Sequence, residues 1–190
     1  MLPDVLDNNS NNSKKISIVG TNNRYQIKQV TQDKIVKTRN KVLQWSINLD
    51  EIKDPNKIMA DLVNNINDTE THHIFKNEIL TKISGYKNQD TNKHLLDLDQ
   101  FISINKVIEL LHESGLTCYY CKESVFILYS IVREKKQWTL DRIDNDKGHN
   151  HDNVVIACLE CNLQRKRKSK HSFTFTKQFV LTRDEYKSNK

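Results

Sequence analysis

The chain has 190 residues, 36% of them hydrophobic, and a net charge of +6, which suffices for one domain of ordinary size with extensions and excludes two large cores. No stretch approaches the roughly 18–20 consecutive apolar residues of a membrane helix, and the opening MLPDVLDNNS lacks the basic and apolar regions of a secretion signal. An intracellular, non-secreted protein without a membrane partner is expected.

Residues 1–15, an Asn/Ser run with little to bury, predict a disordered tail. Residues 16–100 read as an accessory region of mainly helical character. Within it, ISIV (16–19) suggests a short strand, KVLQWSI (41–47) a strand or a buried helical turn, and Ile58 to Ile66 a helix. Phe75, Ile79, Leu80 and Ile83 recur at helical spacing, and Gly85 is a suitable end for that helix. A clearer helix follows, capped by Ser103, with the apolar stripe Ile104, Val107, Ile108 and Leu111, and ended by Gly115. The runs VFILYSIV (125–132) and WTLDRI (138–143) are rich in β-branched and aromatic residues and predict two short strands. DNDKGHNHDN reads as a loop around Gly148, NVVIAC as a strand, and Cys158 to about Ser169 as a helix free of Gly and Pro. The expected class is α+β, with a small module over 101–175 and a basic extension over 176–190.

All four cysteines fall into two CxxC pairs, Cys118/Cys121 (CYYC) and Cys158/Cys161 (CLEC), 36 residues apart. An intracellular chain keeps thiols reduced, and two such knuckles offer four thiolates to one tetrahedral zinc ion. A site closed by four thiolates has no open position, so this zinc is expected to be structural. The competing reading is four buried cysteines without a metal. Charge is also concentrated: Asn162 to Lys190 carries nine Lys or Arg against Asp184 and Glu185, a local excess of +7, which leaves residues 1–161 at −1. Such a cluster attracts polyanions and releases their counterions, making nucleic acid the leading partner class. A merely solvated lysine-rich surface is the alternative.

Between the cysteine pairs stands WTLDRIDNDKGHNHDNVVIACLECN. With its flanks, Thr117 to about Lys170, it resembles the zinc-binding branch of the HNH (ββα-metal) endonucleases. In that family an Asp-His or Asp-Arg pair ends the first strand, a Gly-containing loop and a central Asn follow, and CxxCN opens the helix. The resemblance implies a metal-dependent nuclease acting on nucleic acid, chiefly double-stranded DNA. It matches Asp141 and Asn162 to the ligands of a catalytic Mg²⁺ or Mn²⁺, and Asn153 to the Asn that braces the loop. The family's usual base, a histidine, is replaced by Arg142, which cannot accept a proton near neutral pH but can hold a phosphate.

The base must then come from elsewhere. His149 and His151 are the first candidates because an ordinary imidazole titrates near about 6.5. Tyr119 and Tyr120 come second. Arg165, Lys166, Arg167 and Lys168 are expected along a phosphate backbone. A zinc-bearing module that binds nucleic acid without cutting it is the alternative function. The biological role, the target and the oligomeric state, a dimer included, stay open at this level.

Overall fold

A computed structural model describes residues 36–179. The expected tail over 1–15, the strand at 16–19 and the last part of the basic extension lie outside the described residues. KVLQWSI contributes a 3₁₀ turn at Asn40–Gln44 with no buried residue, so the expected strand or buried turn is not found. This segment is held instead by charge: Arg39 Nη2 and Lys41 Nζ reach the buried Glu78 carboxylate at 2.6 and 3.3 Å.

Helix α1 spans Pro55–Val63, with Pro55 in the first turn and the Asp54 side chain accepting from the Lys57 N–H, and it buries Met59 and Leu62. Helix α2 spans Glu70–Asn92 and buries Phe75, Ile79 and Ile83. It does not end at Gly85. Tyr86 and Asp90 continue the same face at i+3 and i+4 spacing beyond Ile83, and Gly85 sits on the exposed side with no atom within 4 Å of where a Cβ would be. Helix α3 spans Ile104–Glu113 behind the cap Ser103, whose hydroxyl accepts from the Lys106 N–H; its stripe Val107, Ile108 and Leu111 is buried, and Gly115 turns the chain at φ +58°.

Strands β1 (Trp138–Arg142) and β2 (Val154–Cys158) pair antiparallel in the register Trp138↔Cys158 to Arg142↔Val154. VFILYSIV forms no strand. Val125, Ile127 and Tyr129 are buried in alternation as in a strand, but the backbone makes only isolated bridges, such as Phe126 with Gln137 and Ile131 with Thr38. After β2 the chain enters α4 (Leu159–Arg165), breaks at Lys166, and resumes as α5 (Lys170–Gln178). The expected continuous helix to Ser169 therefore stops at Arg165, and a second helix begins only after Ser169. The break has a cause other than Gly or Pro: Arg165 hydrogen-bonds the Lys168 and Arg142 carbonyls, and Asn145 holds the Lys166 carbonyl at 3.1 Å while Lys166 takes φ +54°.

A single apolar cluster unites these elements, running from Met59 of α1 through Phe75, Leu111, Trp138 and Ile156 to Phe173 of α5. Each such side chain contributes about 1.5–3 kcal/mol on burial. The helical region and the ββα segment thus share one core. Among the described residues, no helix is long and apolar enough to cross a membrane.

Candidate metal centre and cleft

The four cysteines converge. Cys118 and Cys121 lie in the turn after α3, Cys158 ends β2, and Cys161 stands in the first turn of α4. Their sulfurs lie within 4.8 Å of one another, so the cluster can hold a metal ion such as zinc. The first knuckle is fixed to the sheet by the Tyr119 N–H donating to the Ile156 carbonyl at 2.8 Å, and the second by the Cys161 N–H donating to Cys158 Sγ at 3.4 Å.

Electrostatics favour a cation here. A hydrogen bond from the Cys158 thiol, with backbone donors, pulls the Cys118 thiol down to about 4. That same bond and burial push Cys158 up, while burial and the Cys118 charge push Cys161 up to about 12. The Cys118 thiolate forms readily, while Cys158 and Cys161 resist ionisation until a dication shares their charge.

Beside this cluster, α2 and β1 border a cleft of about 490 Å³. Lys82, Tyr86 and Gln89 line it from α2 and Lys93 from just beyond its end; Asp141 and Arg142 from β1; His149 from the loop; and Asn162 from α4. Asn162 Nδ2 donates to Thr139 Oγ1 at 3.0 Å and to the Leu140 carbonyl at 3.4 Å. Arg142 Nη1 donates to the Lys147 carbonyl at 2.9 Å. Asn153 braces the loop: its Nδ2 donates to the Asp144 and Gly148 carbonyls, and its Oδ1 accepts from the Asp144 N–H, each at 2.9 Å.

Asp141 is 4% exposed. Its Oδ2 accepts from Arg165 Nε and from the Tyr120 hydroxyl, both at 2.6 Å, and its Oδ1 from Arg165 Nη2 at 3.0 Å. Two expectations change on this account. Arg165 is 1% exposed and serves as the internal counterion of Asp141, so it is not offered to a phosphate backbone; Lys166, Arg167 and Lys168 remain exposed. Tyr120 is a poor base, because burial and its hydrogen bond to Asp141 push its pKa up.

His149 and His151 part company. His151 is exposed, with Nδ1 3.2 Å from the Gln100 carbonyl, and does not line the cleft. His149 is 2% exposed, lies 4.4 Å from the Tyr86 ring, and places Nδ1 2.9 and 3.0 Å from the two Asp90 oxygens. Burial lowers its pKa from the ordinary value despite the opposing effect of Asp90. At neutral pH the ring is therefore uncharged and able to accept a proton.

Lys82, Tyr86 and Asp90 are absent from the sequence reading of the site. The available signal was their continuation of the α2 face. Lys82 Nζ bonds Gln137 Oε1 at 3.0 Å and the Trp138 carbonyl, and stands 4.8 Å from the Trp138 ring centre. Burial, then the Arg39 charge, lowers its pKa to about 7. An unfolded lysine titrates near about 10.4, so the folded state binds fewer protons than the unfolded state between these values. The resulting penalty is complete below pH 7 and relieved as pH rises toward 10.4. Lys82→Met should therefore gain melting temperature relative to wild type at pH 6 compared with pH 9. Equal differences at both pH values would show Lys82 to be solvated.

No protein family, curated protein or solved structure matches this chain. The functional reading rests on the residues themselves.

Proposed function

We propose that this protein is a metal-dependent endonuclease of the HNH type that hydrolyses phosphodiester bonds in DNA, with a structural zinc in the four-cysteine cluster. One observation carries the reading. Asp141, Arg142, His149 and Asn162, set apart in sequence by the HNH-like spacing, line a single cleft.

In this reading Arg142 grips the scissile phosphate and offsets the charge that grows on it. His149, neutral at the operating pH, takes the proton of the attacking water as its oxygen bonds to phosphorus and the bond to the leaving oxygen breaks. Asp141 and Asn162 would hold Mg²⁺ or Mn²⁺ through oxygen donors, and the ion would supply stabilisation of the leaving oxygen. Arg165 already offsets the Asp141 charge, so the protein alone should hold the ion weakly and the substrate phosphate should complete the site. The exposed Lys166, Arg167 and Lys168 would follow the backbone of the duplex.

The engagement of both Asp141 oxygens by Arg165 and Tyr120 favours a second reading, a zinc module that binds nucleic acid without cutting it. Plasmid, linear and branched DNA incubated with the zinc-loaded protein, with and without Mg²⁺ or Mn²⁺, separates the two. Cleavage that requires the added ion supports the nuclease. Salt-sensitive binding with no product under any condition establishes the binding module.

If cleavage is found, single-turnover rates against pH assign the roles. Arg142→Ala should lower the rate about 10²- to 10³-fold at every pH, as loss of one preorganised donor does. His149→Ala should remove the rise with pH, which in wild type lies below the ordinary histidine value of 6.5. A His149→Ala profile identical to wild type would exclude it from the reaction.

A further inference from the structure

Asp90 is wholly buried, carries a carboxylate that the mechanism above leaves unused, and stands 59 residues before the histidine it touches. Its Oδ2 accepts the His149 backbone N–H at 2.6 Å, and both of its oxygens face His149 Nδ1. The approach is built into the backbone. A Cβ on Gly148 would lie 2.5 Å from the Leu95 carbonyl oxygen and 3.0 Å from Asp90 Oδ2, so only glycine lets the loop come this close. The Tyr86 ring, tilted 30° to the imidazole, covers its face.

An ionised carboxylate only accepts hydrogen bonds, so Nδ1 must carry the proton of the neutral ring and Nε2 must carry the lone pair. No hydrogen bond from Nε2 to protein is found among the described residues, and Nε2 is not one of their buried unpartnered atoms, so it keeps access to solvent where His149 lines the cleft. We propose that Asp90 is the positioning residue of the proposed nuclease: from helix α2 it fixes the His149 ring and its tautomer so that Nε2 presents its lone pair to the cleft. The assignment of water as the proton donor rests on the nuclease reading; the fixing of the ring does not.

The charged and titratable groups acting on the ring are Asp90 and Tyr86 from α2, Lys93 just after it, and Arg142 from β1, while Lys82 and Asp141 line the same cleft. Asp90 raises the proton affinity of His149, while burial, Arg142 and Lys93 lower it. Replacing the carboxylate by an amide therefore makes His149 a weaker base and lets the ring sample the other tautomer.

The test uses the full chain, zinc-loaded and with ¹⁵N-labelled histidine, its His149 signal identified by its loss in His149→Gln. Long-range proton–nitrogen correlations across pH 5–9 report tautomer and titration midpoint without DNA or catalytic metal. Wild type should show Nδ1–H in the neutral ring. Asp90→Asn should mix the tautomers and lower the midpoint. The single-turnover rate should fall about 10- to 10²-fold, less than the about 10²- to 10⁴-fold contribution of a general base as a whole, and its pH midpoint should move with that of the ring.

A purely structural defect would reduce the active fraction and leave the midpoint in place. Nε2–H in wild type overturns the proposal without any substitution, as does an unmoved ring midpoint in folded Asp90→Asn. A wild-type Nδ1–H ring in a protein that cuts no DNA with any metal would uphold the positioning and refute the nuclease reading.

Discussion

Chelating the metal from the four-cysteine cluster is expected to unfold the protein rather than loosen one loop. A structural zinc of this type contributes on the order of 10 kcal/mol to folding, comparable to the total stability of about 5–15 kcal/mol of an ordinary domain. Cys118, Cys158 and Cys161 belong to the same apolar cluster as Trp138, Leu140 and Ile156, so water entering an emptied cluster enters the core. Elemental analysis should find one zinc per chain, and Cys158→Ala or a strong chelator should abolish the cooperative thermal transition. Freshly purified, folded protein free of zinc, with an unchanged melting temperature, would refute this.

Asp141→Ala is expected to cost about 3–5 kcal/mol of stability in addition to any activity, because it strands the buried guanidinium of Arg165 without its counterion. For a unit of this size the melting temperature should drop by roughly 6–20 °C. The sequence resemblance matches this carboxylate to a catalytic metal ligand; the ion pair ties it to the fold as well. Removing both partners, as in Asp141→Leu with Arg165→Met, should cost less than Asp141→Ala alone, since no charge is left uncompensated. A thermal melt of the three proteins decides it, and a single variant as stable as wild type would show that the pair does not hold the core. Asp141→Asn, which keeps an acceptor for Tyr120 and Arg165, is the better probe of cleavage.

These contrasts show what the sequence reveals. Helix α3 was legible to the residue, because Ser103, its apolar stripe and Gly115 speak through local rules. The cysteine cluster was legible because each CxxC turn is a local unit and the chain has only four cysteines. The second half of α2 was missed: the signal followed was apolar, and at Gly85 the inward face changes from Ile79 and Ile83 to Tyr86 and Asp90. VFILYSIV misled in the opposite way, since composition and alternating burial are strand-like while a ladder also needs a partner of equal length. Within RKRK, nothing local distinguishes Arg165 from its neighbours. It turns inward because Asp141, 24 residues earlier, lies buried and needs a positive charge. Pairings such as Asp90 with His149 are tertiary facts, carried by no motif.

The closeness of Gly148 to the Leu95 carbonyl and Asp90 also bears on inheritance. A gene segment encoding only residues 101–175 would transfer both knuckles, both strands and the HNH-like residues to a new host, yet leave behind Tyr86 and Lys82, which α2 contributes to the cleft wall, and the Asp90 carboxylate that holds His149. Such a cassette would carry the four cysteines but leave His149 without the helix packed against it. Here recombination can preserve the whole cleft only when the long helix travels with the knuckles.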